Sequence, residues 1–63
     1  MATSKERIGE TPNGGVKSVL YYQDKNGNLV EEDVATHATI VEFDSEGNNI
    51  FRTYMVLGNK TNE

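Results

Sequence analysis

His37, in the string Thr36-His37-Ala38-Thr39, is the only histidine of the chain, and cysteine is absent. Nucleophilic catalysis needs a nucleophile held against a base that a third group orients. His37 is the one imidazole available as such a base. It stands between small and Thr side chains in a stretch that reads as strand, the setting of an ordinary surface residue. Hydrolysis by paired carboxylates needs two acids facing each other across a cleft. Glu31, Glu32 and Asp33 are contiguous, so they splay apart from a connection and read as solvated loop charge. Asn13-Gly14-Gly15 lacks the downstream Gly-Lys-Ser/Thr of a phosphate-cradling loop. A single sheet of this length also struggles to enclose the roughly 300 Å3 or more typical of small-molecule sites. No catalytic residue is assigned, no cofactor is called for, and the expectation is a protein that is not an enzyme.

Metal binding is the next chemistry to weigh. Asp24-Lys25-Asn26-Gly27-Asn28 is answered twenty positions later by Asp44-Ser45-Glu46-Gly47-Asn48. Asp24, Asn26 and Asn28 alternate like the first ligands of an EF-hand loop, but that loop needs Gly at its sixth place and Glu at its twelfth. Leu29 and Ala35 occupy those places, so no metal ligand set is assigned. A four-residue type I turn explains the repeat better. It favours Asp at its first position and Gly at its fourth, where a left-handed residue forms a bulge. Asp24 with Gly27, and Asp44 with Gly47, fit those positions. The string is read as a hairpin turn used twice.

Composition narrows the partners. Ten Asp and Glu oppose six Lys and Arg, a formal net charge of −4, with an isoelectric point near 4.8. Direct nucleic-acid binding leaves a basic footprint that is missing here, and the same deficit argues against docking on an anionic membrane. No apolar run approaches a membrane span, and the opening residues lack the apolar centre of a secretory signal. Without cysteine, disulfides are excluded and a reducing, cytoplasmic setting is expected. A chain of 63 residues makes one domain and buries only about 60% of its unfolded surface. With neither disulfide nor zinc to compensate, oligomerisation gains weight.

The elements follow from texture. Residues 1–15 hold Gly9, Pro12, Gly14 and Gly15 among scattered charges and read as a flexible or extended N-terminal arm. A β domain spans 16–58, with strands at about Val16–Gln23, Thr36–Phe43 and Asn49–Leu57, all rich in β-branched and aromatic residues. A short strand near Leu29–Glu31 and one helical turn near Glu31–Ala35 complete it, and residues 59–63 form a frayed tail. The fold class is mainly β: a small antiparallel meander of three to four strands. Tyr22, Asp24, Gly27, Asn28 and Leu29 in "YYQDKNGNLV" resemble one unit of the tyrosine–aspartate (YD, or Rhs-type) repeats, and "VEFDSEGNNI" repeats the pattern with Phe43 beside Asp44. That family stacks many units. Two units imply its turn geometry rather than membership.

Counting outward from the second turn places Phe43 opposite Asn49, Val41 opposite Phe51, Thr39 opposite Thr53 and His37 opposite Met55. Val41, Phe43, Phe51, Met55 and Leu57 then share a face without acids or lysines, the better core candidate. The other face carries Ile40, Glu42, Ile50, Arg52, Tyr54 and Val56, with Glu42 and Arg52 as a diagonal ion pair. It is too apolar for a fully wet surface, and it is read as the interaction face. The functional expectation is a small non-catalytic interaction or regulatory protein acting through a sheet face or edge, on another protein or on a second copy. Two alternatives are an ion- or ligand-binding module built on the turns, and an acidic inhibitor occupying a partner's basic nucleic-acid-binding surface.

Overall fold

The computed structural model describes residues 2–57. It is mainly β: one open antiparallel sheet of four strands, β1 (Ser4–Ile8), β2 (Lys17–Gln23), β3 (His37–Phe43) and β4 (Asn49–Val56), in the order β1-β2-β3-β4. A single 3-10 turn at Glu32–Val34 fulfils the helical turn expected near Glu31–Ala35. Among the described residues, no helix is long and apolar enough to cross a membrane. The tail at 59–63 lies outside the described residues.

Within the segment read as an N-terminal arm, Ser4–Ile8 forms a strand. Ser4–Ile8 pairs with β2 from Ser4 opposite Tyr21 to Ile8 opposite Lys17. All five residues are exposed, so β1 is held by its ladder and by Lys17 on Glu6 at 3.2 Å rather than by burial. A strand wet on both sides needs no apolar alternation, and for that reason its charges do not advertise it.

The expected strand at Leu29–Glu31 shrinks to a lone bridge between Leu29 and Gln23. Its lane is shared with the N-terminal segment: Tyr22 donates to the Thr3 carbonyl at 2.8 Å, and on the same edge Val30 donates to the Tyr22 carbonyl at 3.0 Å. Glu32 N–H then reaches the Ala2 carbonyl at 3.2 Å. The first turn therefore folds Leu29 and Val30 back on β2, and the chain crosses through the 3-10 turn to reach β3. Only the second turn joins two neighbouring long strands.

Both turns have the expected construction, in duplicate. Gly27 and Gly47 sit at φ of 88° and 86°, a region costly for any side chain and free for glycine. Asp24 Oδ1 accepts the N–H groups of Asn26 and Asn28 at 2.8 and 3.0 Å. Asp44 Oδ1 accepts those of Glu46 and Asn48 at 2.9 and 2.8 Å. Gly27 donates to the Asp24 carbonyl and Gly47 to the Asp44 carbonyl, each at 3.0 Å.

Register past the second turn departs from the simple count. Phe43 does face Asn49, but Glu42 faces Phe51, leaving Ile50 as a bulged residue. Because side chains alternate, one extra residue exchanges the faces of everything beyond it. Val41 faces Arg52, Thr39 faces Tyr54 and His37 faces Val56. The two faces are thus recomposed. One carries Val19, Tyr21, Gln23, His37, Thr39, Val41, Phe43, Arg52, Tyr54 and Val56, and is called here the groove face. The other carries Leu20, Tyr22, Ala38, Ile40, Glu42, Phe51, Thr53 and Met55, and is called the clamp face.

Burial is thin on both. Among the described residues, Tyr22, Ala35, Ala38 and Val41 are the buried apolar ones, and no large side chain is fully enclosed. Most domains bury apolar surface between two packed layers. This sheet has one layer, with loops over parts of the clamp face.

Candidate functional site

The six residues read as one interaction face are divided by the bulge. Ile40 and Glu42 lie on the clamp face, while Arg52, Tyr54 and Val56 lie on the groove face. Ile50, the bulged residue, points its Cδ1 toward Gly15 in the loop that covers the clamp face. Glu42 and Arg52 stand on opposite sides of the sheet, so their diagonal ion pair does not form. The core expectation divides likewise: Val41 and Phe43 are on the groove face and Phe51 and Met55 on the clamp face.

Glu42 has a different role, which strand periodicity could not disclose. It is 4% exposed and is held by the loop between β1 and β2. Asn13 donates its backbone N–H to Oε1 at 3.2 Å and its side-chain amide to Oε2 at 2.9 Å. The Thr11 hydroxyl bonds the same carboxylate and accepts Gly15 N–H at 2.7 Å. These donors, Thr11 foremost and then Asn13, hold the Glu42 carboxyl below its ordinary range against the opposing effect of burial. Val16 N–H fastens the loop to the Phe43 carbonyl at 2.8 Å. Gly15 is obligatory there by contact, because a Cβ would meet that carbonyl oxygen at 2.6 Å and Thr11 Oγ1 at 2.8 Å. The string Thr-Pro-Asn-Gly-Gly, with two hydrogen-bonding side chains and a close-approach glycine, is the only local hint of this clamp.

The turn carboxylates are likewise engaged. Asp24 and Asp44 lie below their ordinary range, with the N–H of Asn28 and of Asn48 the largest cause in each case. Their second oxygens face the Asn28 and Asn48 amides at 3.5 and 3.2 Å. No three His, Cys, Asp or Glu side chains converge as a metal site among the described residues.

His37 stacks on Tyr54, with ring centroids 5.8 Å apart and planes inclined by 21°. Its Nδ1 lies 2.7 Å from the Thr36 hydroxyl, in an exposed position. No carboxylate orients the ring among the described residues.

The groove face holds a concavity with mixed chemistry. Tyr21, Gln23, Leu29, Thr39, Val41, Arg52 and Tyr54 line an open groove of about 380 Å3. This exceeds what so short a sheet was expected to offer, because Leu29, brought back by the first turn, adds a wall beyond the strands. Val41 forms its buried floor, while Leu29 at 55% and Tyr54 at 58% exposed form rims. Thr39 donates to Gln23 Oε1 at 2.7 Å, and Gln23 in turn donates to the Gly27 carbonyl at 3.3 Å. That chain ties the turn to the groove wall. Arg52 has no carboxylate partner among the described residues, since the one ion pair is Lys17 with Glu6. The chain matches no protein-family model, no curated protein and no solved structure.

Proposed function

We propose that this protein is a small non-catalytic interaction or regulatory protein, cytoplasmic, that docks another protein on its groove face. The observation that carries the reading is the groove itself. Val41 and the tyrosines give it an apolar body, Arg52 a cation without a carboxylate partner among the described residues, and Gln23 and Thr39 fixed polar groups. Buried aromatic and arginine anchors dominate the energetics of protein interfaces. The partner that fits is a segment pairing an apolar side chain with a nearby carboxylate, the former over Val41 and the latter on Arg52. Covering an exposed apolar face stabilises by ~25 cal/mol per Å2, which matters to a sheet without a second layer.

Affinity capture from the native cell extract, run in parallel with wild type, Tyr54→Asp and the remote variant Glu46→Ala, tests this. A specific protein retained by wild type and Glu46→Ala but lost with Tyr54→Asp is the expected result. Equal retention by all three would remove the groove face as the docking surface.

A further inference from the structure

The two edges of the sheet are built differently. β1 presents Lys5, Glu6 and Arg7 in a run of five residues, the charged blunting that keeps an edge from pairing with another chain. β4 runs for eight residues, Asn-Ile-Phe-Arg-Thr-Tyr-Met-Val, with Arg52 its one charge and with neither lysine nor proline. Nothing lies beyond it among the described residues. Leu57 N–H donates to the Thr36 carbonyl at 2.9 Å, and this bond sets the phase of the ladder. In an antiparallel pair, successive residues turn their N–H and C=O groups to opposite sides. Phe51, Thr53 and Met55 therefore bond β3, and Arg52, Tyr54 and Val56 present their backbone groups outward.

We propose that β4 pairs antiparallel with β4 of a second copy, about a two-fold axis at Thr53, to make one continuous eight-stranded sheet. Symmetry and charge select this register. The outward residues must meet one another as hydrogen-bonded pairs, which allows an axis at Arg52, Thr53 or Tyr54, and at Met55 only with still less of the strand overlapped. An axis at Arg52 sets two guanidinium groups directly opposite, a destabilising like-charge pair. An axis at Tyr54 overlaps less of the strand and sets Arg52 against the aliphatic Val56. The axis at Thr53 sets each Arg52 opposite Tyr54 of the other copy, a cation–π pair formed twice. On the clamp face it sets each Phe51 opposite Met55 of the other copy, a sulfur–aromatic pair also formed twice. The inference uses the backbone of β4 and does not depend on the groove face being the docking surface.

Sedimentation velocity of the full chain from micromolar to high micromolar concentration, with amide exchange followed by NMR, tests it. The expected mass doubles with concentration while the Arg52 and Tyr54 amides gain protection. Tyr54→Lys sets two like-charge pairs across the axis and weakens association about tenfold. The double variant Arg52→Glu with Tyr54→Lys replaces them with two opposite-charge pairs and restores it. A wild type that stays monomeric throughout overturns the proposal. So does a double variant that stays monomeric while its amide spectrum shows an intact sheet, because only the axis at Thr53 sets those two positions against each other.

Discussion

Replacing Gly15 by alanine adds one methyl group at the most crowded glycine of the chain. The new Cβ would lie 2.6 Å from the Phe43 carbonyl oxygen, 2.8 Å from Thr11 Oγ1 and 3.1 Å from Ile50 Cδ1. The carbonyl cannot swing away without releasing Val16 N–H, which it accepts at 2.8 Å. The loop must lift instead, loosening Thr11 and Asn13 from Glu42. Overpacking of this kind costs about 1–3 kcal/mol, against about 3–9 kcal/mol for the whole stability of a chain this size. At roughly 4–8 °C per kcal/mol, Tm should fall by about 4–24 °C. The sign is the sharper test. Where space and backbone permit, Gly to Ala stabilises by about 0.4–1 kcal/mol through the unfolded chain. A thermal melt by circular dichroism that shows no change, or a rise, would refute the close approach of this loop to β3.

Three other outcomes can be checked on the same material. Gly47→Val forces a β-branched residue to φ near 86° and should cost about 1–3 kcal/mol; an unchanged Tm would mean the turn is built otherwise. Asp24, Asp44 and Glu42 all have folded pKa values lowered from ordinary values of 3.8, 3.8 and 4.5. Their contribution is therefore present above those values and lost as pH falls through the lowered ones, so urea midpoints should drop progressively below about pH 4, and a midpoint that rises on acidification contradicts this. His37→Gln should leave the fold and partner capture intact; loss of capture with an unchanged amide spectrum would make the imidazole a functional group.

Three of the four strands and both turns were legible because their signals are local. Asp24 with Gly27 and Asp44 with Gly47 specify their own conformation within five residues. What escaped is non-local or counts single residues. The exposed, charged β1 carries no periodic signature. The bulge at Ile50 adds one residue to a strand whose composition tolerates either phase, since Phe51, Tyr54, Met55 and Val56 make both faces apolar. That single residue moved Arg52, Tyr54 and Val56 away from Ile40 and Glu42. Asn13, which holds Glu42, is 29 residues away in sequence, so an acid surrounded by strand formers read as half of an exposed ion pair.

The distance between Glu42 and its loop has a consequence for the order in which the molecule assembles. Every strand pairs with its sequence neighbour, and such local topology favours fast folding. The β3–β4 hairpin closes around a short turn on the microsecond scale of hairpins. The Thr11–Gly15 loop can engage Glu42 only after β2 is already laid against β3, so it brings least to the transition state and most to the finished sheet. Interactions absent from the transition state act on the unfolding rate and leave the folding rate nearly alone. The clamp is thus a brake on opening: Gly15→Ala should raise the unfolding limb of a chevron while the folding limb keeps its place.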